Sequence, residues 1–113
     1  MLAVVSPAKK LDTDAVNRTL AYTQPSLMPD IEALMTTTQT LGSSDLQSLM
    51  GISEKLAELN HERFQNFKTP FTETNAKAAA LMFNGDTYTG LDANSLSDDS
   101  LTWAQDHLAI LSG

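Results

Sequence analysis

Apolar residues along this chain recur mostly at helical spacing, punctuated by glycine, proline and serine at positions suited to turns and caps. Leu2-Ala3-Val4-Val5 is the exception. It is a continuous apolar run closed by Ser6-Pro7, and the lack of polar alternation predicts a short buried strand. Residues 6–24 are polar and mixed, which predicts loop. Ser26 then offers a helix cap, and Leu27, Ile31, Leu34, Met35, Thr38 and Leu41 repeat at helical spacing. Pro29 is tolerable in the first turn, and Gly42 is the expected stop. Ser44 with Gln47 predicts a second, short helix ended by Gly51. Ser53 starts a third, with Leu56, Leu59 and Phe64 as its buried stripe and Lys55, Glu58 and Glu62 as its wet face. Residues 67–71 read as a connector. Thr72 caps an alanine-rich helix expected to run through Phe83, with Glu73 in the favourable first turn. Asn84-Gly85-Asp86 is turn chemistry, and residues 88–95 carry no decisive pattern. Ser97 caps a last helix with Asp98 and Asp99 in its first turn and Leu101, Ala104 and Leu108 inside, after which Ile110 and Leu111 begin a strand. The fold class implied is α+β: mostly helical, with a short N-terminal strand.

Composition narrows this picture. The 113 residues suit one small domain, and 42% hydrophobic content supports a packed core. Aromatics are scarce at 6%, so Leu, Ala and Met carry the apolar mass, which favours helices. The absence of cysteine excludes disulfides, thiolate metal sites and a cysteine nucleophile. No run approaches the roughly 20 apolar residues of a bilayer span, and the apolar N-terminus is too short for a signal segment. The expectation is a soluble, cytoplasmic protein without a membrane partner. The ending Ile110-Leu111-Ser112-Gly113 has no polar tail and reads as a cut inside an element. Net charge is −7, from 14 acidic against 7 basic residues. Asp92, Asp98, Asp99 and Asp106 crowd the last quarter, where no Lys or Arg occurs. By charge alone this argues against binding nucleic acid, since phosphate affinity needs clustered cations.

Four segments could carry chemistry. Leu46 to Ala57 has the spacing of a helix-hairpin-helix element, with Ser53 where a second glycine is usual. Gly51 would let the chain turn with positive φ, Ile52 would plug between the helices, and the amides after the bend would face outward toward a phosphate. Such contacts position a protein on DNA without reading sequence. The plainer alternative is an ordinary helical hairpin, and Asp45, Glu54, Glu58 and Glu62 there oppose only Lys55 and Arg63. Ser6-Pro7-Ala8-Lys9 matches the Ser-x-x-Lys spacing of acylating enzymes, but it follows a strand where those enzymes start a helix. His61 and His107 lack the i, i+4 spacing of a helical metal site and read as surface residues; no metal is assigned. Residues 84–91 combine Gly85, Asp86, Tyr88 and Gly90 in what is either a site loop or a structural turn anchored by Tyr88.

At these residues the sequence resembles the YaaA family. Val5-Ser6-Pro7-Ala8-Lys9 with Leu11-Asp12 is similar to the family's opening motif. Leu49-Met50, Ile52-Ser53, Lys55-Leu56-Ala57, Asn60 and Arg63-Phe64 are similar to a second block. Phe83, Gly85-Asp86 and Tyr88-Thr89-Gly90-Leu91 are similar to a third, and His107-Leu108 with Leu111-Ser112-Gly113 to the start of a fourth. The blocks fall in order over the N-terminal half of a family member, so residues 1–113 would be the first part of one domain whose remaining half is a missing partner. The resemblance implies a mixed α/β fold with a basic cleft. It further implies cytosolic protection from hydrogen peroxide by limiting unincorporated iron and DNA damage, and contact with duplex DNA. Lys9, Lys55 and Arg63 would be the cleft cations and Gly51, Ile52 and Ser53 the phosphate-facing bend. Asn84 stands where the family commonly has lysine, and Ala109 where arginine is frequent, and both changes remove positive charge. No cofactor is implied, and without cysteine, thiol-based peroxide sensing within this segment is excluded. The alternative is an enzyme of unknown reaction, with a pocket formed by Ser6, Lys9, Asp86 and Tyr88. A third possibility, direct iron capture, would require His and carboxylate side chains around one point.

Overall fold

The computed structural model describes residues 1–112; Gly113, which closes the fourth family-like block, lies outside the described residues. The fold is α+β. In chain order the elements are β1 (Ala3–Val5), α1 (Met28–Thr38), α2 (Ser43–Met50), α3 (Glu54–Gln65), α4 (Ala79–Met82), α5 (Asp86–Leu91), a 3₁₀ turn at Ala93–Ser95, α6 (Asp98–His107) and β2 (Leu108–Ile110). They fall into two compact units. One is built from Met1–Thr23 with Thr72–Gly113, the other from Gln24–Phe71.

The second unit is helical. Pro29 sits in the first turn of α1, but Leu27 and not Ser26 occupies the cap position, without a side-chain hydrogen bond. The helix gives way at Gln39 to tight turns, with Thr40 and Leu41 amides donating to Thr37 and Thr38 carbonyls. Gly42 therefore does not end α1. It starts α2, where its amide donates to Asp45 Oδ2 at 2.9 Å, so the capping pair is Gly42 with Asp45 and not Ser44 with Gln47. Ser53 caps α3 as expected, its Oγ accepting the Leu56 amide at 3.3 Å. The buried stripe of α3 is rotated from the expected one. Leu56 and Leu59 are exposed, whereas Ala57 is fully buried and Asn60, His61 and Phe64 are half-buried. The small Ala57 lets α2 approach, and Leu46 of α2 is 1% exposed.

The first unit departs further from the sequence pattern. Thr72 closes only a turn, with Asn75 Oδ1 accepting the Thr72 amide and the Ala76 amide donating back to the Thr72 carbonyl. The chain is extended at Ala78, so the long helix predicted through Phe83 shrinks to α4. The cause is tertiary. Lys77 turns toward Asp12, donating to its carbonyl at 3.1 Å and lying 3.3 Å from its carboxylate. That pull overrides a few tenths of a kcal/mol per alanine of helix propensity. Residues 88–95, unassigned from pattern, form the end of α5 and the 3₁₀ turn, separated by Asp92 at φ 46°. Ser97 caps α6 as expected, accepting the Ser100 amide at 3.2 Å. α6 runs straight into β2, which pairs in parallel with β1 in the register Ala3 with Leu108, Val4 with Ala109 and Val5 with Ile110. The expected buried strand is thus found one residue shorter and largely exposed, Val4 at 52%, because this two-stranded sheet has no covering layer among the described residues. No helix among the described residues is long and apolar enough to cross a membrane.

Leu46→Ala should remove about 2–5 kcal/mol of stability, the range for a fully buried leucine. Urea unfolding followed by circular dichroism checks this; a loss under about 1 kcal/mol would show that Leu46 is not the centre of the α2–α3 packing.

Candidate functional site

The bend between α2 and α3 is a helical hairpin turn, and the Gly51 and Ile52 amides expected to face outward are bonded within the chain. Residues 46–57 are not one unbroken helix: α2 stops at Met50 and α3 starts at Glu54. Gly51 adopts φ 61°, ψ 42°, a left-handed conformation that costs a side-chain-bearing residue about 1 kcal/mol. A Cβ there would meet nothing within 4 Å, so the bend is open to solvent. The Gly51 and Ile52 amides both return to the Gln47 carbonyl, at 3.0 and 3.4 Å, which closes α2. Ile52 is half-buried and Ser53 exposed. Ser53 Oγ takes the Leu56 amide, so the cap is partly satisfied from within the chain. Lys55 and Arg63 are exposed on α3, on the same helix as Glu54, Glu58 and Glu62. The carboxylates reduce the positive potential that these cations present.

In the other unit the loop after β1 meets the start of α5. Tyr88 is 6% exposed, and its hydroxyl donates to the Ser6 carbonyl at 2.5 Å. A Cβ on Gly85 would lie 3.0 Å from Ala8 Cβ, so glycine permits this close approach. The Asn84 amide donates to the Lys10 carbonyl and the Asp12 amide to the Met82 carbonyl, while Leu11 bridges Phe83. The two loops therefore come together through backbone and a tyrosine anchor. Ser6, Lys9 and Asp86 are exposed and do not line the neighbouring hollow. That hollow, about 90 Å³, is bordered by Asp12, Phe83, Asn84, Tyr88, Thr89 and Asp92. Of the four residues proposed for a pocket, Tyr88 alone reaches it.

Asp12 titrates below its ordinary range, first because its carboxylate accepts the Asp14 amide at 2.9 Å and then because Lys77 lies beside it, against an opposing effect of partial desolvation. Sequence spacing gave no hint of this pair, since 65 residues separate its members. The histidines also differ from simple surface residues. His61 is half-buried with Nδ1 lacking a partner, and His107 stacks on Trp103. Among the described residues no group of three His, Asp or Glu side chains could hold a metal ion.

The sequence profile of the family described as peroxide stress protein YaaA matches residues 1–113. The chain belongs to this family. It is similar to the UPF0246 protein of Alteromonas mediterranea, with 55% identity over the whole chain, and to UPF0246 proteins of Caulobacter sp. and Alcanivorax borkumensis, with 52% and 49%. In each case the match covers all of this chain and 44% of the relative. The chain thus spans less than half the length of the curated YaaA-family relatives it matches. The first three YaaA-like blocks fall on the β1 loop, the α2–α3 hairpin and the α5 start, and the fourth begins where α6 passes into β2. Of the two charge-removing departures, Asn84 borders the hollow and Ala109 pairs with Val4 in the sheet.

Tyr88→Phe should destabilise this unit by about 1–2 kcal/mol, because it orphans the Ser6 carbonyl while keeping the ring packed against Phe83. Chemical unfolding measures it, and an unchanged midpoint would show that the hydroxyl does not anchor the loop. Asp12→Asn should be less stable than the native chain at neutral pH. A depressed carboxylate pKa stabilises the fold above the unfolded-state value and stops doing so as pH falls through the folded-state value. The two unfolding curves should therefore converge in acid; a constant gap down to strong acid would contradict the lowered pKa of Asp12.

Proposed function

We propose that the family-length protein protects against hydrogen peroxide in the cytoplasm by holding the duplex DNA backbone through the α2–α3 hairpin, a helix-hairpin-helix in function. Limitation of unincorporated iron and of oxidative DNA damage would be the outcome. The reading is supported by membership of the peroxide stress family and, above all, by the solvent-open left-handed turn at Gly51 leading into a capped helix start. Lys55 and Arg63 on α3, and Lys9 after β1, supply the exposed cations. With a net charge of −7, contact with phosphate depends on these local groups and not on the overall field. Such contact is independent of base sequence and released by salt.

A second reading, an enzyme of unknown reaction, is favoured by the meeting of the β1 loop with the α5 start. It ranks lower because Tyr88 is committed to the Ser6 carbonyl and neither Lys9 nor Asp86 borders the hollow.

Titrating family-length protein with labelled duplex at about 50 and about 200 mM salt tests the first reading. Binding at the lower concentration, sharply weakened at the higher and indifferent to sequence, is the expected result. Lys55→Glu combined with Arg63→Glu should weaken it by about tenfold or more, since each phosphate contact carries a counterion-release contribution. Absence of binding at low salt would defeat the reading, and unchanged affinity in the double variant would remove the hairpin from it.

A further inference from the structure

Asparagine followed by glycine is a reactive pair in its own right. The glycine main-chain nitrogen can attack the asparagine side-chain carbonyl, and glycine, having no Cβ, hinders that attack least. Asn84-Gly85 is the one such pair among the six asparagines of this chain. The fold sharpens the contrast. Behind Asn66, Asn75 and Asn94 the attacking amide is already committed: Phe67 donates to the Phe64 carbonyl, Ala76 to Thr72 and Ser95 to Asp92, at 3.3, 2.9 and 2.9 Å. His61, behind Asn60, lies inside α3, where its amide belongs to the helix ladder. Asn17 precedes arginine, whose side chain obstructs the attack. At Asn84 the residue's own amide is held by the Lys10 carbonyl at 3.0 Å, but the Gly85 amide and the Asn84 carboxamide bond to nothing among the described residues. Packing also favours glycine at 85, since a Cβ there would stand 3.0 Å from Ala8 Cβ.

We propose that Asn84 is a self-acting modification site, converting without an enzyme to aspartate and isoaspartate and so loosening the contact between the β1 loop and the start of α5. The Gly85 nitrogen loses its proton and bonds to Asn84 Cγ. The Cγ–Nδ2 bond breaks, and ammonia leaves from a cyclic imide. Water then adds to either imide carbonyl. Breaking the Cγ–N bond gives aspartate, and breaking the bond to the main-chain carbonyl gives isoaspartate. The isoaspartate main chain is longer by a methylene, inserted between the amide that Lys10 holds and the glycine that approaches Ala8. The native spacing of those two contacts is lost. Either product adds a carboxylate to a hollow already bordered by Asp12 and Asp92.

The test incubates residues 1–113, and family-length protein carrying them, at neutral and mildly alkaline pH, with peptide mapping by chromatography and mass spectrometry. In both proteins Asn84 should convert at least about threefold faster than the other five asparagines, and faster at the higher pH. The isoaspartate form, separated by ion exchange, should unfold at lower urea than the native chain, with Asn84→Asp between the two. Asn84→Gln should keep its midpoint throughout the incubation. Conversion at Asn84 no faster than at Asn17, or absent from the family-length protein, would overturn the proposal. So would a rate below about a tenth of that in the urea-unfolded chain, since the fold would then protect the pair. An isoaspartate form with the native midpoint would overturn the loosening of the loop.

Discussion

The unit formed by the two chain ends depends on one clamp between residues 6–12 and residues 77–88. Backbone hydrogen bonds join Asn84 to Lys10 and Asp12 to Met82, Tyr88 donates to the Ser6 carbonyl, and Lys77 reaches both the carbonyl and the carboxylate of Asp12. Each bond contributes only about 1 kcal/mol net, but together they bring distant parts of the chain into register. The clamp sits directly after β1, so it fixes where that strand leaves and thereby where β2 can pair with it. A parallel pair of three-residue strands has too few ladder bonds to hold itself together.

The same clamp explains the shape of the candidate region around α5. Tyr88 is buried with its hydroxyl bonded to the Ser6 carbonyl, and glycine at 85 relieves a tight 3.0 Å approach to Ala8 Cβ. The shared work of these residues is architectural first. The hollow beside them borrows Asp12, whose depressed pKa keeps a carboxylate charged at its rim.

The α2–α3 hairpin has a different origin. Its parts lie within a few residues of one another: a helix stop at Gly51, a half-buried Ile52, a cap at Ser53 and a buried, small Ala57. Local chemistry is enough to specify such a turn, because the left-handed residue and the cap each act within one helical turn. Charge then distinguishes the surfaces. Lys55 and Arg63 give α3 its cations, while the segment from residue 78 onward has none.

The features determined by sequence alone are the local ones. The Ser53 and Ser97 caps, the Gly51 stop, the α+β class and the family blocks were all legible because each rests on residues a turn or less apart, or on order along the chain. Tertiary structure decided the rest. The alanine-rich run after Thr72 failed as a long helix because Lys77 found Asp12, 65 residues away. The buried stripe of α3 rotated to Ala57 because close packing with α2 favours the smallest side chain, not the most hydrophobic one. The Tyr88 anchor, the Gly85–Ala8 contact and the exposure of β1 likewise depend on which distant segments meet, and a periodicity read along one stretch of chain carries no information about its partner across the fold.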